Sequence, residues 1–234
     1  MGTSFPTGNM TTGHPSRGES TRERILEAAT RLFAERGYGA ARAEDVAAAA
    51  GIAKGSVFQH FGSKEGLFLE VYKRAMASFS AYLAAPEEVL AQGFFATLRY
   101  WLERTEGALR EDWVPCRIAL LGNYGADLGL RREINRFMKA RDPYGTTAFV
   151  RWGRKRGEVR DDVDEDMIVS ILDWTVERFQ DALLVEELDP GLFRRPGPQA
   201  GTAARIEQFL EVLRSAIGAK RASKAALRRK GRRR

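Results

Sequence analysis

The sequence has one cysteine and two histidines. A lone cysteine, Cys116, allows no intramolecular disulfide, and nothing in the pattern points to an oxidising compartment. Cys116 has two readings, a nucleophile or a small apolar side chain in a helix; no Cys–His arrangement accompanies it, which favours the second. With only His14 and His60 there is no metal-spaced His/Cys cluster, and general acid–base chemistry is poorly equipped. No glycine-rich loop of the phosphate-cradling kind is present. The reading is therefore of a protein that is not an enzyme and calls for neither metal nor cofactor. No window approaches the roughly 18–20 uninterrupted apolar residues of a membrane-spanning helix. The first residues, MGTSFPTGNMTTGHPSRGES, lack the apolar stretch of a signal peptide and read as a disordered leader over 1–19. A cytoplasmic protein without a membrane partner is expected. Alternating β patterns of useful length and internal repeats are also missing.

The net charge of +7 is unevenly placed. Nine of the 38 basic residues fall in 220–234, which holds no acid, leaving 29 bases against 31 acids elsewhere. The body is thus near neutral, and 220–234 reads as a solvated basic tail, because like charges repel and little apolar surface is available to bury. Such a tail suits a polyanion such as DNA, or serves only solubility; both readings stand.

What remains is helical punctuation, and the fold class is all-α. Ser20 and Glu23 have capping-box spacing, Ile25, Ala29, Leu32 and Phe33 recur at helical spacing, and Gly37 offers a stop. Short helices are predicted over Ala43–Ala50 and Lys54–Phe61, with a tight turn at Gly51. Ser63 can cap a long helix to about Leu83, and Pro86 breaks the chain. A continuous helix is predicted from Glu87 to about Arg110, another over Trp113–Tyr124 interrupted by Gly122 and Gly125, then Leu130–Ala140 and Tyr144–Lys155 separated by Asp142–Pro143. Asp164–Leu188 reads as a long helix, Asp189–Gly201 as a loop, and Thr202 to about Lys220 as the last helix.

The segment from Arg42 to Phe61 carries the chemistry. In a helix-turn-helix the first helix needs a small residue facing its partner, here Ala47, and four residues later a residue that tolerates a left-handed backbone, here Gly51. Val46, Ala50, Ile52 and Val57 supply apolar groups where the helices meet.

TRERILEAATRLFAERGYGA followed by EDVAAAAGIAKGSVFQHFGSKEGL resembles the DNA-binding domain of the tetracycline-repressor (TetR) family over Thr21 to about Tyr72. The resemblance implies a three-helix DNA-binding domain over 20–66 and a larger helical ligand-sensing and dimerisation domain over 67–219. It implies that Lys54, Gly55, Ser56, Phe58, Gln59 and His60 face double-stranded DNA, with the Lys54–Phe61 helix in the major groove. Gln59 is the candidate for base readout, since its amide can pair bidentately with adenine. Lys54 and Lys64 are candidates for phosphates, Lys64 from a helix N-terminus. Gly55 allows close backbone approach; His60 either donates to phosphate or packs against the helix pair. Three departures stand out: Ala41–Arg42 replaces hydroxyl residues, so the second helix lacks a side-chain cap and Arg42 supplies charge instead; Ala53 replaces a capping serine; Phe58 replaces a tyrosine.

One such head covers about half an operator, so the resemblance implies a homodimer on a palindromic operator, with recognition helices about 34–36 Å apart. The last two long helices would form a four-helix bundle across the two-fold axis, offering Ile168, Ile171, Leu172, Leu183 and Leu184 from one and Ile206, Phe209, Leu210, Leu213 and Ile217 from the other. The middle helices are rich in aromatics, which read either as core or as the wall of an effector pocket; the pocket candidates are Phe94, Trp101, Trp113, Arg117, Phe149, Trp152 and Trp174. A hydrophobic effector would shift the population away from a DNA-competent spacing, transmitted by the fourth helix. The function expected is thus a ligand-responsive regulator, a repressor by analogy with the family. The competing reading is a DNA-coating protein that acts without sequence preference through its basic tail.

Overall fold

The structure, a computed structural model, describes residues 17–142, 145–185 and 201–219. The leader up to residue 16, Pro143, most of the Asp189–Gly201 loop and the basic tail lie outside the described residues. The elements are α1 (Arg17–Ala40), α2 (Ala43–Ala50), α3 (Lys54–Phe61), α4 (Lys64–Tyr82), α5 (Glu87–Gln92), α6 (Phe94–Glu111), α7 (Trp113–Leu120), a π-helical turn (Leu121–Gly125), α8 (Leu128–Arg141), α9 (Thr146–Lys155), α10 (Glu165–Leu184) and α11 (Thr202–Ile217). Among the described residues there is no strand, only a lone antiparallel bridge between Val159 and Gly218. The chain divides into two compact units, Met1–Val71 and Tyr72–Arg234, so the division falls inside α4 rather than after residue 66.

In the first unit α1 packs on α2 and α2 on α3. Ile25, Ala29 and Phe33 from α1, Val46 from α2, Val57 from α3 and Phe68 from α4 are essentially fully buried, and Phe33 meets Phe68 edge to face with ring centroids 5.1 Å apart. The predicted capping box at Ser20 is not the start of α1: the helix begins at Arg17, so Arg17–Glu19, read as leader, are helical. Gly37 does break the helical path, at φ 80°.

The second unit is organised by aromatic stacking. Phe94 and Phe149 stack at 4.1 Å, Trp101 meets Phe149 at 4.4 Å, and Trp152 stacks on Phe149 at 5.6 Å. Ile168 and Leu172 of α10 and Ile206, Leu210, Leu213 and Ile217 of α11 bury themselves in this same core. Helix α10 starts as predicted: the Asp164 carboxylate accepts the amides of Asp166 and Met167, satisfying donors that the first turn leaves unpaired. It ends at Leu184, with Val185 extended.

The helix predicted to run unbroken from Glu87 to Arg110 is two helices. Gly93, at φ 108°, separates them, and a Cβ there would lie 2.5 Å from the Glu158 carboxylate. That carboxylate accepts the Phe94 amide at 2.8 Å, capping α6 from outside the helix. The partner is remote in sequence, so local propensity gave no sign of the break.

Candidate DNA-binding surface

The turn between α2 and α3 is built as the residue pattern predicts. Gly51 sits in the left-handed region at φ 64°, ψ 43°, and the Ile52 amide donates to the Ala47 carbonyl at 3.0 Å. Val46, Ala47 and Ala50 face inward from α2, and Val57 is the buried residue of α3. Neither helix has a side-chain N-cap, at Arg42 or at Ala53, as the substitutions at those positions imply.

Two supports were not legible beforehand. Arg24 of α1 reaches across, its guanidinium donating to the Ala50 carbonyl and to the Gly51 carbonyl at 3.3 Å. These are the orphan acceptors at the end of α2. At the other end of α3, Gly66 of α4 comes so close that a Cβ would lie 2.2 Å from the Phe61 carbonyl oxygen. Gly66 also donates its amide to Ser63 Oγ at 3.1 Å, the cap that Ser63 was expected to provide. A basic residue one turn before an apolar run, and a glycine near a helix start, were the available but unspecific signals.

With Val57 turned inward, α3 leaves Lys54, Gly55, Phe58, Gln59 and His60 exposed and Ser56 half-buried. Nothing lies within 4 Å of a Cβ built on Gly55, so its surface is open to close approach. His60 stands exposed rather than packed on the helix pair. Arg42 is exposed at the head of α2. The two lysines are already engaged: Lys54 is ion-paired with Glu44, which holds the Glu44 carboxyl below its ordinary range, and Lys64 donates to the Gly39 carbonyl at 3.2 Å with its ammonium 4.6 Å from the centre of the Tyr38 ring. A phosphate at either lysine therefore displaces or shares an existing contact. The face is a row of cationic, amide and imidazole donors beside an exposed aromatic, which suits an anionic, edge-presenting partner.

The expected effector residues are not brought together. Phe94, Trp101, Phe149 and Trp152 are the stacked core described above, whereas Trp113, Arg117 and Trp174 are exposed. A cavity of about 310 Å³ in the second unit is lined by none of the seven; it opens between Phe79 and Tyr82 of α4 and Pro115 and Cys116 of α7. Cys116 is 1% exposed, and burial pushes its thiol up to about 11, the behaviour of a core residue rather than a nucleophile. Elsewhere in this unit α10 carries Asp173, Glu177 and Asp181 on one face. Asp181 is buried and accepts from Tyr124 Oη at 2.8 Å and Asn123 Nδ2 at 3.3 Å, and burial raises its pKa in spite of those bonds. Burial, then the like charges of Asp181 and Asp173, push Glu177 up to about 7; because that residue is exposed, water screens the effect.

Residues 25–71 match the family of bacterial regulatory proteins named tetR. That stretch, about a fifth of the chain, carries the DNA-binding domain of this family. It is 29% identical to the HTH-type transcriptional repressor AcnR of Corynebacterium glutamicum over 74% of this chain and 87% of that protein. With the HTH-type transcriptional repressor DhaR of a Mycobacterium species it shares 25% identity over 84% of this chain and 91% of the relative. Its fold matches the transcriptional regulator FadR from Bacillus subtilis, solved in complex with stearoyl-CoA, with a TM-score of 0.60 over 83% of this chain and 98% of that one, at 21% identity. The matched stretch is accordingly a bacterial regulatory DNA-binding domain, and both of these relatives, AcnR and DhaR, are named as transcriptional repressors. No helix among the described residues is long and apolar enough to cross a membrane.

Proposed function

We propose that the protein is a transcriptional repressor that binds a palindromic operator as a homodimer and is released by a small molecule. The observation that carries the reading is the exposed face of α3, where Gln59, His60 and Lys54 stand outward from a helix anchored by Val57. Gln59 reads bases, Lys54, Lys64 and Arg42 meet phosphates, Gly55 lets the backbone approach, and Ser56, Phe58 and His60 complete the contact.

Dimerisation follows a different face from the one the periodicity suggested. Ile168, Leu172, Ile206, Leu210, Leu213 and Ile217 are consumed by the protomer's own core. The apolar groups left outward on α10 and α11 are Met167, Trp174 and Val212, the last two each 66% exposed. A solvated tryptophan of this size supports an interface across the two-fold axis. Release by a ligand draws support from the cavity beside α4, the helix that runs through the division between the units.

The test is binding to DNA from upstream of the protein's own coding region and to random DNA of equal length, with Gln59→Ala beside the natural chain. Gln59→Ala is expected to cost about 1–3 kcal/mol on the specific fragment and almost nothing on random DNA. Equal losses on both fragments would refute base readout by Gln59.

A further inference from the structure

Helix α3 has little to hold it in place by itself. It has eight residues, no side-chain N-cap and one buried residue, Val57, and a helix of that length is marginal alone in water. Two further anchors come from α1. Arg22 and Arg24 stand two residues apart, about 200° around a helix, so their side chains diverge. Arg24 goes to the N-terminal side of α3. Its Nη2 donates to the Ala50 carbonyl and, at 3.3 Å, to the Gly51 carbonyl, and a Cβ on Gly51 would lie 3.0 Å from that nitrogen. Arg22 goes to the opposite end. Its guanidinium carbon lies 5.1 Å from the ring centre of Phe61, the last residue of α3, while its Nη2 pairs with Glu70 of α4 at 2.8 Å. One helix thus clamps both ends of α3 through guanidinium groups.

We infer that Arg22 and Arg24 are positioning residues for base readout: they fix the pitch of α3, and thereby the direction in which Gln59 presents its amide, without touching DNA. The inference rests on the operator-binding reading above. Hydrogen bonds weaken steeply with misalignment, and a bidentate amide–adenine pair needs both of its bonds in register. Attraction to phosphates is sequence-independent and tolerates tilt. A loosened α3 therefore loses affinity for the operator and keeps its affinity for any duplex. An arginine that gripped phosphate would behave differently, serving all sequences alike.

The experiment is a double-mutant cycle on the full chain. Arg24→Lys keeps the charge but loses the guanidinium that spans two carbonyls; Arg22→Lys keeps the charge beside Glu70 but loses the flat group over Phe61. Each is measured on the upstream fragment and on random DNA at two salt concentrations, alone and combined with Gln59→Ala. Arg24→Lys is expected to weaken binding to the upstream fragment about tenfold, the scale of one charge-assisted bond. Arg22→Lys should weaken it about threefold, the scale of an exposed cation–π contact. Random-DNA affinity and the salt slopes should not change. Beside Gln59→Ala both losses should vanish, because no amide is left to misdirect. Equal losses on both fragments, a shallower salt slope, or losses that persist beside Gln59→Ala would overturn the inference and assign the arginines to fold stability or to phosphate. Amide exchange without DNA supplies a readout that needs no operator: it should quicken over Phe58–Phe61 and stay unchanged over Ala29–Phe33 of α1. Should the natural chain bind both fragments alike, the operator reading falls; quickened exchange confined to α3 then upholds the clamp, and unchanged or uniformly faster exchange overturns it.

Discussion

The two units solve the same problem, burying helices, with different emphasis. The first brings backbones together: Ala47 and Ala50 line the seam of α2, Gly66 nearly touches the Phe61 carbonyl, and Arg24 closes the end of α2 by hydrogen bonds to carbonyls. The second fills its core with rings, Phe94, Phe149, Trp101 and Trp152 in one stack. Close backbone packing fixes the angle between α2 and α3, but leaves little room for anything else. The cavity belongs to the second unit, but none of the stacked rings lines it.

The contrast can be broken first at its two anchors. Phe94→Ala empties a fully buried site and should cost about 3–5 kcal/mol, lowering the unfolding midpoint seen by tryptophan fluorescence. All four tryptophans lie beyond residue 100, so that signal belongs to the second unit. Gly66→Ala forces a Cβ onto a carbonyl and should cost about 3 kcal/mol; DNA binding and part of the helical circular dichroism should fall at a temperature where tryptophan fluorescence is still native. Coincident transitions in both variants would erase the distinction. Trp174→Glu, on the surface of the second unit, should weaken self-association by about 2 kcal/mol or more without shifting the monomer's fluorescence spectrum toward that of the unfolded chain; sedimentation at several concentrations checks it. Arg24→Ala removes the caps of α2 and should cost about 1–2 kcal/mol, more than Arg36→Ala, which breaks only an exposed pair with Asp45 at 2.9 Å.

The smallest effect sharpens the comparison through pH. Glu177 sits above its ordinary range in the folded chain, beside Asp181, Asp173, Asn123 and Arg131. The folded state thus holds a proton more firmly than the unfolded one, and stability from this group is present below about 4.5 and lost as pH rises toward about 7. Glu177→Gln keeps the neutral form at all pH, and should raise stability at pH 8 by about 1 kcal/mol once screening of an exposed carboxylate is allowed for, with no gain at pH 4. A gain independent of pH would assign the effect to something other than ionisation.

What could be read from residues alone divides along the same line. The bounds of α2 and α3, the left-handed Gly51 and the Ser63 cap were legible because turn chemistry is local. The split at Gly93 was hidden because its cause, Glu158, comes from a different helix connection. The apolar stripes of α10 and α11 were visible, but a stripe does not say whether it faces its own core or a partner, and Ile168 and Leu213 chose the core. Likewise an aromatic stripe cannot distinguish a wall from a stack. The cavity was invisible for that reason: it is lined by residues whose individual types carry no signal.

Glu158 does more than end a helix. Its carboxylate holds the start of α6 and pairs with Arg156 at 2.6 Å, while its carbonyl accepts the Ala219 amide just past α11 at 2.9 Å. Three stretches far apart along the chain are thereby riveted at one point, so none can fray by itself. Amide exchange at Phe94 and Ala219 should accordingly proceed in step, and a trimmed or loosened α11 should be felt first at the start of α6, far earlier in the chain.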